Sequence, residues 1–241
     1  MSSVDDDTTL TDHPEVAPAS PAETAFAAYE SIFLKASILD ARVVAFAAPT
    51  DDAPVDEIAR GYAKCVSSSG HKVLFLDLNG DPAPSDEQGR WDPSTPINVD
   101  KLVADVEGFD RLTAIPDAGA RGRFNNVDYL KRAVSNDLES YPHIVLQLPP
   151  ILSFGPSAPN PLAITRIADA VLLVCTVGRT AVSDAADATQ YLRSVNAPLV
   201  GTVVDETNFR SPGKQMAGIV RQVPVLKRLV PFLESNRLLN P

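Results

Sequence analysis

Short apolar runs rich in β-branched residues recur along the chain, and each is separated from the next by a segment long enough for a helix. Runs of this kind, bounded by turn residues, are typical of strands that are buried on both faces of a sheet. The predicted strands are Val43–Ala48, Val73–Leu76, Leu112–Ile115, Ile144–Leu148, Val171–Val177 and Leu199–Val204.

Apolar residues at helical spacing from Pro21 to Leu39 predict an amphipathic helix before the first strand. The clearest helical patterns between strands cover Val55–Ser68, Val127–Ser140 and Val182–Val195. Alternating buried strands and helices predict an α/β fold, with a doubly wound, mostly parallel sheet and helices on both faces.

The length of 241 residues suits one domain of this class. Residues 1–20 are acidic, rich in Ser, Thr and Pro, and without periodicity, so they predict a flexible tail. Residues 21–241 are expected to form a single α/β domain. Prolines gather at 82–96 and 149–161, directly after strands, where a doubly wound fold places its ligand loops.

Composition narrows the classes of function. The net charge of -10 argues against general nucleic-acid binding, which needs a basic surface. No apolar stretch reaches the ~18 residues of a membrane span, and the acidic N-terminus does not match a secretory signal. We therefore expect a cytoplasmic protein. Cys65 and Cys175 are expected to be buried free thiols in a reducing compartment.

Three segments carry a family resemblance: YPHIVLQLPPILS (141–153), ADAVLLVCTVGRT (168–180) and YLRSVNAPLVGTVVD (191–205). They resemble the bacterial tyrosine kinases of capsule and exopolysaccharide systems, which belong to the P-loop NTPase class that includes the ParA and MinD ATPases. Upstream, HKVLFLDLNGD (71–81) and TAIPDAG (113–119) are similar to the next motifs of that family. The resemblance covers roughly residues 25 to 205. It implies a P-loop NTPase fold.

A P-loop follows the first strand with G-x-x-x-x-G-K-[ST], whose backbone amides, lysine and hydroxyl hold phosphate and magnesium. The corresponding stretch here is PTDDAPVDEIARGYA (49–63). When residues 61–63 are matched to the family's helix, the lysine position holds Val55 and the Ser/Thr position holds Asp56. The preceding glycine position holds Pro54.

The loop also opposes phosphate through its backbone and its charge. No glycine precedes Gly61, and Pro49 and Pro54 each lack a backbone donor. A like-charge contact at ~4 Å costs ~4 kcal/mol at a surface-like dielectric. Phosphate binding in the usual mode is therefore excluded. The acidic side chains of this loop are Asp51, Asp52, Asp56 and Glu57.

The two acidic motifs of the family are altered as well. Asp77 keeps the first acidic position after the second predicted strand, but Asn79 stands at the second, which this class uses to handle the attacking group. Gln147 stands where the resemblance places the carboxylate that orients magnesium. A neutral amide does not replace a carboxylate as a partner of a hard cation. We therefore expect no catalytic residues, no cofactor and no metal.

Three explanations of the acidic loop remain open. Its carboxylates could cap the following helix and complement the helix dipole. They could, in addition, fill the anion site that phosphate occupies in active relatives. A third hypothesis is a cation site formed by Asp51, Asp52 and Asp77.

Other family features are reduced. The kinases assemble into rings through a Glu/Arg motif on the first helix, and the matching stretch keeps Tyr29 and one basic residue, Lys35. The family's C-terminal tyrosine cluster is missing, since the last tyrosine is Tyr191. Ring assembly through this motif is therefore not expected, although a homo-oligomer is possible. Arg179 matches a family position and is expected to hold a strand-end loop.

The histidines His13, His71 and His143 form no metal or triad pattern and are expected to be solvated or capping residues. Arg121 and Arg123 follow Gly119 on the expected ligand side of the sheet. They are either solvated or directed at an acidic group of a partner.

These observations predict a catalytically inactive pseudo-ATPase or pseudo-tyrosine kinase. The resemblance implies a partner, the cytoplasmic segment of a membrane chain-length or export protein in exopolysaccharide or capsule biosynthesis. The alternatives are a nucleotide-binding enzyme with an altered phosphate site and a ParA/MinD-like positioning protein. From residue 208 onward, basic and apolar residues alternate. This segment either closes the sheet or docks on an acidic partner segment or the anionic inner face of the membrane.

Overall fold

A computed structural model describes residues 21–79, 90–97, 103–104, 108–114, 120–155 and 158–206. The predicted flexible tail at residues 1–20 and the basic-apolar segment from residue 208 lie outside the described residues. None of the described helices combines the length and the apolar character needed to cross a membrane.

One sheet runs through the described part of the chain in the order β3-β5-β2-β6-β1-β7-β8. All of these neighbours pair in parallel, and β4 adds antiparallel to β5. The predicted parallel strands are confirmed to within two residues at each end. The strands are β1 (Val43–Ala47), β2 (Val73–Asp77), β3 (Arg90–Trp91), β4 (Val103–Ala104), β5 (Asp110–Ala114), β6 (His143–Gln147), β7 (Ala170–Thr176) and β8 (Leu199–Asp205).

The predicted helices are also present, with one change. The segment predicted as one helix over Val127–Ser140 is a short α-helix that continues as a π-helix and ends at Asp137. Four short elements, β3, β4, α3 and α5, were not predicted. The helices are α1 (Pro21–Ile38), α2 (Val55–Ser68), α3 (Ala120–Phe124), α4 (Val127–Arg132) with the π-helix Ala133–Asp137, α5 (Pro161–Ile164) and α6 (Val182–Ser194).

The sheet separates two apolar cores because successive strand residues point to opposite faces. In β1, Val44 and Phe46 pack with α1 and α2, whereas Val43, Ala45 and Ala47 pack with α4, the π-helix and α6. Helices therefore cover both faces, and the doubly wound α/β fold predicted from the sequence is confirmed.

The amino end of β1 is fixed by a polar anchor, formed by contacts of the partly buried Arg42 and the exposed Asp169. The guanidinium of Arg42 donates to the carbonyls of Tyr141 and Val134, at 2.8 and 3.1 Å. Asp169 Oδ2 accepts the backbone N–H groups of Arg42 and Val43, at 3.0 and 2.8 Å. Because β1 lies between β6 and β7, this anchor sets where the loop after β1 leaves the sheet.

Helix α1 packs on α2 and the end of the sheet through two close contacts. The ring of Tyr29 lies directly over Gly61, where an added Cβ would be only 2.5 Å from the ring. Lys35 Nζ donates to the carbonyl of Val200 in β8, at 2.7 Å. The two residues that match the kinase ring-assembly stretch thus make contacts within this chain.

A three-ring cluster joins α1 to the amino end of the sheet. His71 and His143 stack edge to face with centroids 4.7 Å apart, and Phe33 lies 5.4 Å from one ring and 5.6 Å from the other. Burial lowers the pKa of His143, and the neighbouring His71 lowers it further. The expectation that His143 is a solvated or capping residue is therefore wrong, because its ring is partly buried in an aromatic contact.

The two cysteines are free, and they differ in burial. Cys65 is buried in α2, as expected, whereas Cys175 in β7 is only partly buried. Burial raises the pKa of both thiols. The raised pKa values favour the protonated thiol form of both side chains.

We expect Gly61→Ala to destabilise the protein by about 1 kcal/mol, because the methyl group displaces the ring of Tyr29 by overpacking. Urea unfolding measures the loss, and hydrogen exchange should show faster exchange of the α1 amides. Gly122→Ala is the matched control, since nothing lies within 4 Å of its added Cβ. Equal effects of the two variants would contradict the contact.

We expect the stability to fall as the pH drops below 6.5, in part because of His143. Its folded-state pKa lies below the unfolded value of 6.5, so the unfolded chain binds the proton first. His143→Phe keeps a ring at this place without the charge, and the loss of stability between pH 7 and 5 should be smaller in this variant. Identical pH profiles, measured by urea unfolding, would rule out the contribution of His143.

Candidate functional site

A single pocket forms where the carboxyl ends of β1, β2 and β6 meet. In open α/β sheets this edge, at the point where the strand order reverses, is the usual place for a ligand. The pocket has a volume of about 150 Å³ and is lined by Ala48, Thr50, Asp51, Ala53, Pro54, Val55, Asp56, Asn79, Gln147, Leu148 and Pro150.

The pocket brings together all four positions that the sequence comparison singled out as altered. Val55 and Asp56 start α2, Asn79 follows β2, and Gln147 ends β6. These residues are far apart in the sequence, and they meet because β6 lies between β1 and β2. None of the four residues supplies the lysine or the hydroxyl group with which a P-loop holds phosphate and magnesium, and Asp56 is the only one of them with a carboxylate.

The loop after β1 is held by the segment after β6. Ile151 N–H donates to the carbonyl of Ala48, and Leu152 N–H donates to that of Pro49, both at 2.9 Å. The hydroxyl of Ser153 reaches Asp51 Oδ2 at 3.5 Å. These bonds give the pocket a fixed wall.

The start of α2 offers few free backbone donors. Pro54 is the N-cap residue and has no N–H group. The N–H of Val55 donates to the carbonyl of Ala53 at 2.9 Å. At Pro54 the backbone donor is absent, and at Val55 it already bonds within the loop. Neither residue therefore offers the free N–H group with which a P-loop binds phosphate.

The hydrogen-bonding part of the capping explanation is wrong, whereas its charge part is supported because Asp56 and Glu57 lie in the first turn of α2. Within the described residues, the carboxylates of Asp51, Asp52 and Asp56 accept no hydrogen bond from the first turn of α2. Asp56 instead accepts from Arg60 Nε at 2.8 Å, and Asp52 accepts from the hydroxyl of Thr50 at 3.1 Å. The related hypothesis, in which these carboxylates fill the phosphate site of active relatives, needs the same hydrogen bonds from the helix amides and is therefore not supported. Their charge still complements the dipole of α2 through space.

Asp77 is engaged on the other side of β2. Its Oδ2 accepts from Arg111 Nη2 at 2.7 Å, and its Oδ1 accepts the N–H of Asn79 at 3.1 Å. No group of three His, Cys, Asp or Glu side chains that could hold a metal occurs in the part of the chain that the structure describes. The hypothesis of a cation site from Asp51, Asp52 and Asp77 therefore has no support.

Arg111 is the residue that sequence reasoning missed. It lies in β5, in register with Phe75 of β2, and its side chain reaches the carboxylate two residues further along that strand. In the sequence Arg111 is recognisable only as a charged residue in a short strand, β5. The neighbouring strand, β2, ends in an acidic residue.

Gln147 has an unusual environment for a polar side chain. It is only 5% exposed, and its Oε1 is buried without a hydrogen-bond partner. Its backbone is fixed by pairing with Phe46 of β1 and Asp77 of β2. An unsatisfied buried acceptor costs about 1–3 kcal/mol, so a bound donor would recover this energy.

The arginines near the site make different contacts from those expected. Arg123 Nε pairs with Asp92 Oδ2 at 2.8 Å, so this charge is engaged within the chain. The side chain of Arg121 lies outside the described atoms. Arg179 was expected to hold a strand-end loop. Its side chain is exposed, and its backbone N–H donates to the carbonyl of Thr176 at 3.1 Å. The N–H of Thr176 donates in turn to Thr180 Oγ1 at 2.9 Å, so Arg179 contributes to this turn through its backbone.

No protein-family model and no curated protein sequence matches this chain. Solved structures do match it in fold. The kinase domain of the Escherichia coli tyrosine kinase ETK is 16% identical, with a TM-score of 0.66 over 79% of this chain and 77% of that one. The VpsO kinase domain is 17% identical, with a TM-score of 0.64 over 78% of this chain and 96% of that one. The cell division protein MinD from Aquifex aeolicus is 16% identical, with a TM-score of 0.53 over 79% and 78%.

At this level of identity the likeness establishes the fold and not the activity. The chain has the fold of P-loop NTPases, in a form similar to tyrosine kinase domains and to MinD. The fold that the sequence resemblance implied is thereby confirmed.

We expect Arg111→Leu to destabilise the protein by ~2 kcal/mol, because it removes the guanidinium that pairs with the buried carboxylate of Asp77. In the Asp77→Asn variant, which keeps an acceptor for the N–H of Asn79, adding Arg111→Leu should lower the free energy of unfolding by less than ~1 kcal/mol. Urea unfolding of the four proteins in this double-mutant cycle measures the coupling. A coupling near zero would show that the pair is not important.

Proposed function

We propose that this protein is a non-catalytic pseudo-ATPase, a relative of the polysaccharide tyrosine kinases that acts by binding another protein. The observation that carries the proposal is the pocket at the carboxyl ends of β1, β2 and β6. It stands where a P-loop protein holds its nucleotide, and the side chains that meet in it lack the chemistry for phosphate and magnesium.

Charge and backbone both support the absence of nucleotide binding. The pocket is lined by the carboxylates of Asp51 and Asp56, and no lysine or arginine is among its lining residues. A triphosphate there would meet like charge instead of the charge-assisted hydrogen bonds that usually hold it. Asp77 is already engaged by Arg111, so the retained carboxylate is not free to help.

The partner and the pathway come from the family resemblance. In that resemblance the partner is the cytoplasmic segment of a membrane chain-length or export protein of exopolysaccharide or capsule biosynthesis. The protein would then act in the cytoplasm, at the inner face of the membrane. The likeness of the fold to the ETK and VpsO kinase domains supports this choice over an unrelated α/β protein.

Two alternative functions remain distinct from this proposal. The presence of a pocket at the nucleotide position favours an enzyme that binds nucleotide in an altered mode. The negative charge of the pocket, however, opposes nucleotide binding. The similarity to MinD favours a positioning protein, for which the genomic neighbours would be chromosome or plasmid genes instead of polysaccharide genes.

We expect ATP with magnesium to bind no more tightly than a Kd of about 1 mM, because no lysine lies at Val55 and the local charge repels phosphate. Isothermal titration calorimetry of the full chain measures this directly. A micromolar Kd would overturn the proposal. Mass spectrometry after incubation with ATP should likewise find no phosphotyrosine.

The double variant Val55→Lys with Asp56→Thr is a stricter test of the same prediction. It restores the two P-loop side chains but leaves Pro49, Pro54 and Asp51 in place, so the backbone donors and the charge stay wrong. We expect no ATP hydrolysis above that of the unchanged protein. Robust turnover would show that the loop geometry is still competent.

A further inference from the structure

We propose that the same pocket binds the guanidinium group of an arginine side chain presented by a partner protein. The inference rests on the proposed function, since it names the chemistry of the partner that a non-catalytic protein would bind at this place. It reverses the charge of the expected ligand, from an anion to a cation.

The local charge is strongly negative. Asp51 and Asp56 line the pocket, and Asp52 and Glu57 lie next to them in the chain. Among the described residues, Arg60 pairs with Asp56, Arg111 is offset by Asp77, and the N-terminus of α2 is equivalent to about +0.5 charge. The balance of about −2.5 favours a cation over an anion.

The lining includes an acceptor without a donor among the described residues. Gln147 is 5% exposed and its Oε1 has no hydrogen-bond partner, and this is an observation independent of the acidic loop. Asn79 adds an exposed residue with a side-chain amide to the same lining. A guanidinium is planar and carries five N–H donors and no acceptor, so it can satisfy an amide oxygen and a carboxylate at the same time.

The size and the walls of the pocket fit an arginine tip better than a nucleotide or a metal ion. About 150 Å³ holds a few water molecules at ~30 Å³ each, which is enough for the four heavy atoms of a guanidinium. Val55, Pro54 and Leu148 provide apolar wall for the methylene groups of the side chain. For a metal ion, the described residues offer no group of three His, Cys, Asp or Glu side chains that could hold it.

The probe is the peptide acetyl-Gly-Arg-Gly-amide, whose only charge is the guanidinium, and the control is the same peptide with citrulline, its neutral isostere. Both are titrated into the ¹⁵N-labelled full chain and followed by NMR. We expect the arginine peptide to shift the backbone amide signals of residues 50–53, 55 and 56 and the side-chain NH₂ signal of Gln147 in a saturable way. The citrulline peptide should bind at least about tenfold more weakly.

Two variants test whether the pocket is responsible. Asp51→Asn and Gln147→Leu should each weaken binding of the arginine peptide by about tenfold, because each removes one acceptor. Asp184→Asn on α6, outside the pocket lining, is the control for the loss of one negative charge and should leave the affinity within about twofold. If Gln147→Leu fails to fold, the Asp51→Asn variant still decides.

The proposal is overturned if the arginine peptide causes no saturable shift, if the citrulline peptide binds equally well, or if Asp184→Asn weakens binding as much as Asp51→Asn. These outcomes are distinguishable from failure of the proposed function. Tight ATP binding would overturn the proposed function, whereas weak binding of both ATP and the peptide would overturn only the arginine site.

Discussion

The burial of β1 on both faces of the sheet is the constraint on which the rest of the structure depends. Its five residues are fully enclosed between two apolar cores and between β6 and β7. Arg42 and Asp169 fix its amino end. The position at which the chain leaves the carboxyl end of β1 is therefore fixed. The loop that leads from there to α2 lies next to the carboxyl ends of β2 and β6. The pocket exists because of this geometry, whatever residues line it.

The retained fold and the altered site are consistent with each other for this reason. Apolar burial in β1, β2 and β6 depends mainly on strand residues that face the two cores, whereas most of the pocket lining lies beyond the strand ends, with Gln147 at the last position of β6. The loop from residue 48 to 54 is braced by backbone bonds from the segment after β6, and such bonds do not depend on side-chain identity. The side chains of Val55 and Gln147 can therefore differ from those of P-loop proteins without a change in these backbone bonds.

Hydrophobic pattern was sufficient to predict the central strands, because a strand buried on both faces leaves an apolar run that few other elements share. It was not sufficient for β3 and β4, which have two residues each and carry too little pattern to recognise. In the site, alignment of the motifs predicted which positions meet. The role of Arg111 and the failure of the acidic residues to cap α2 depend on side-chain direction, which a linear sequence does not contain. Asp56, for example, could equally have faced the amides or Arg60.

The bond between Lys35 and the carbonyl of Val200 has a consequence for the order of folding. It joins residues 165 positions apart, and Val200 is the residue that β7 skips at the irregularity in its pairing with β8. Helix α1 precedes all the described strands in the chain, and its contact with α2 through Tyr29 and Gly61 can form early. Its contacts with His143 at the start of β6 and with Val200 in β8 can form only after most of the sheet has been synthesised, so the docking of α1 is completed when the last described strand has found its register.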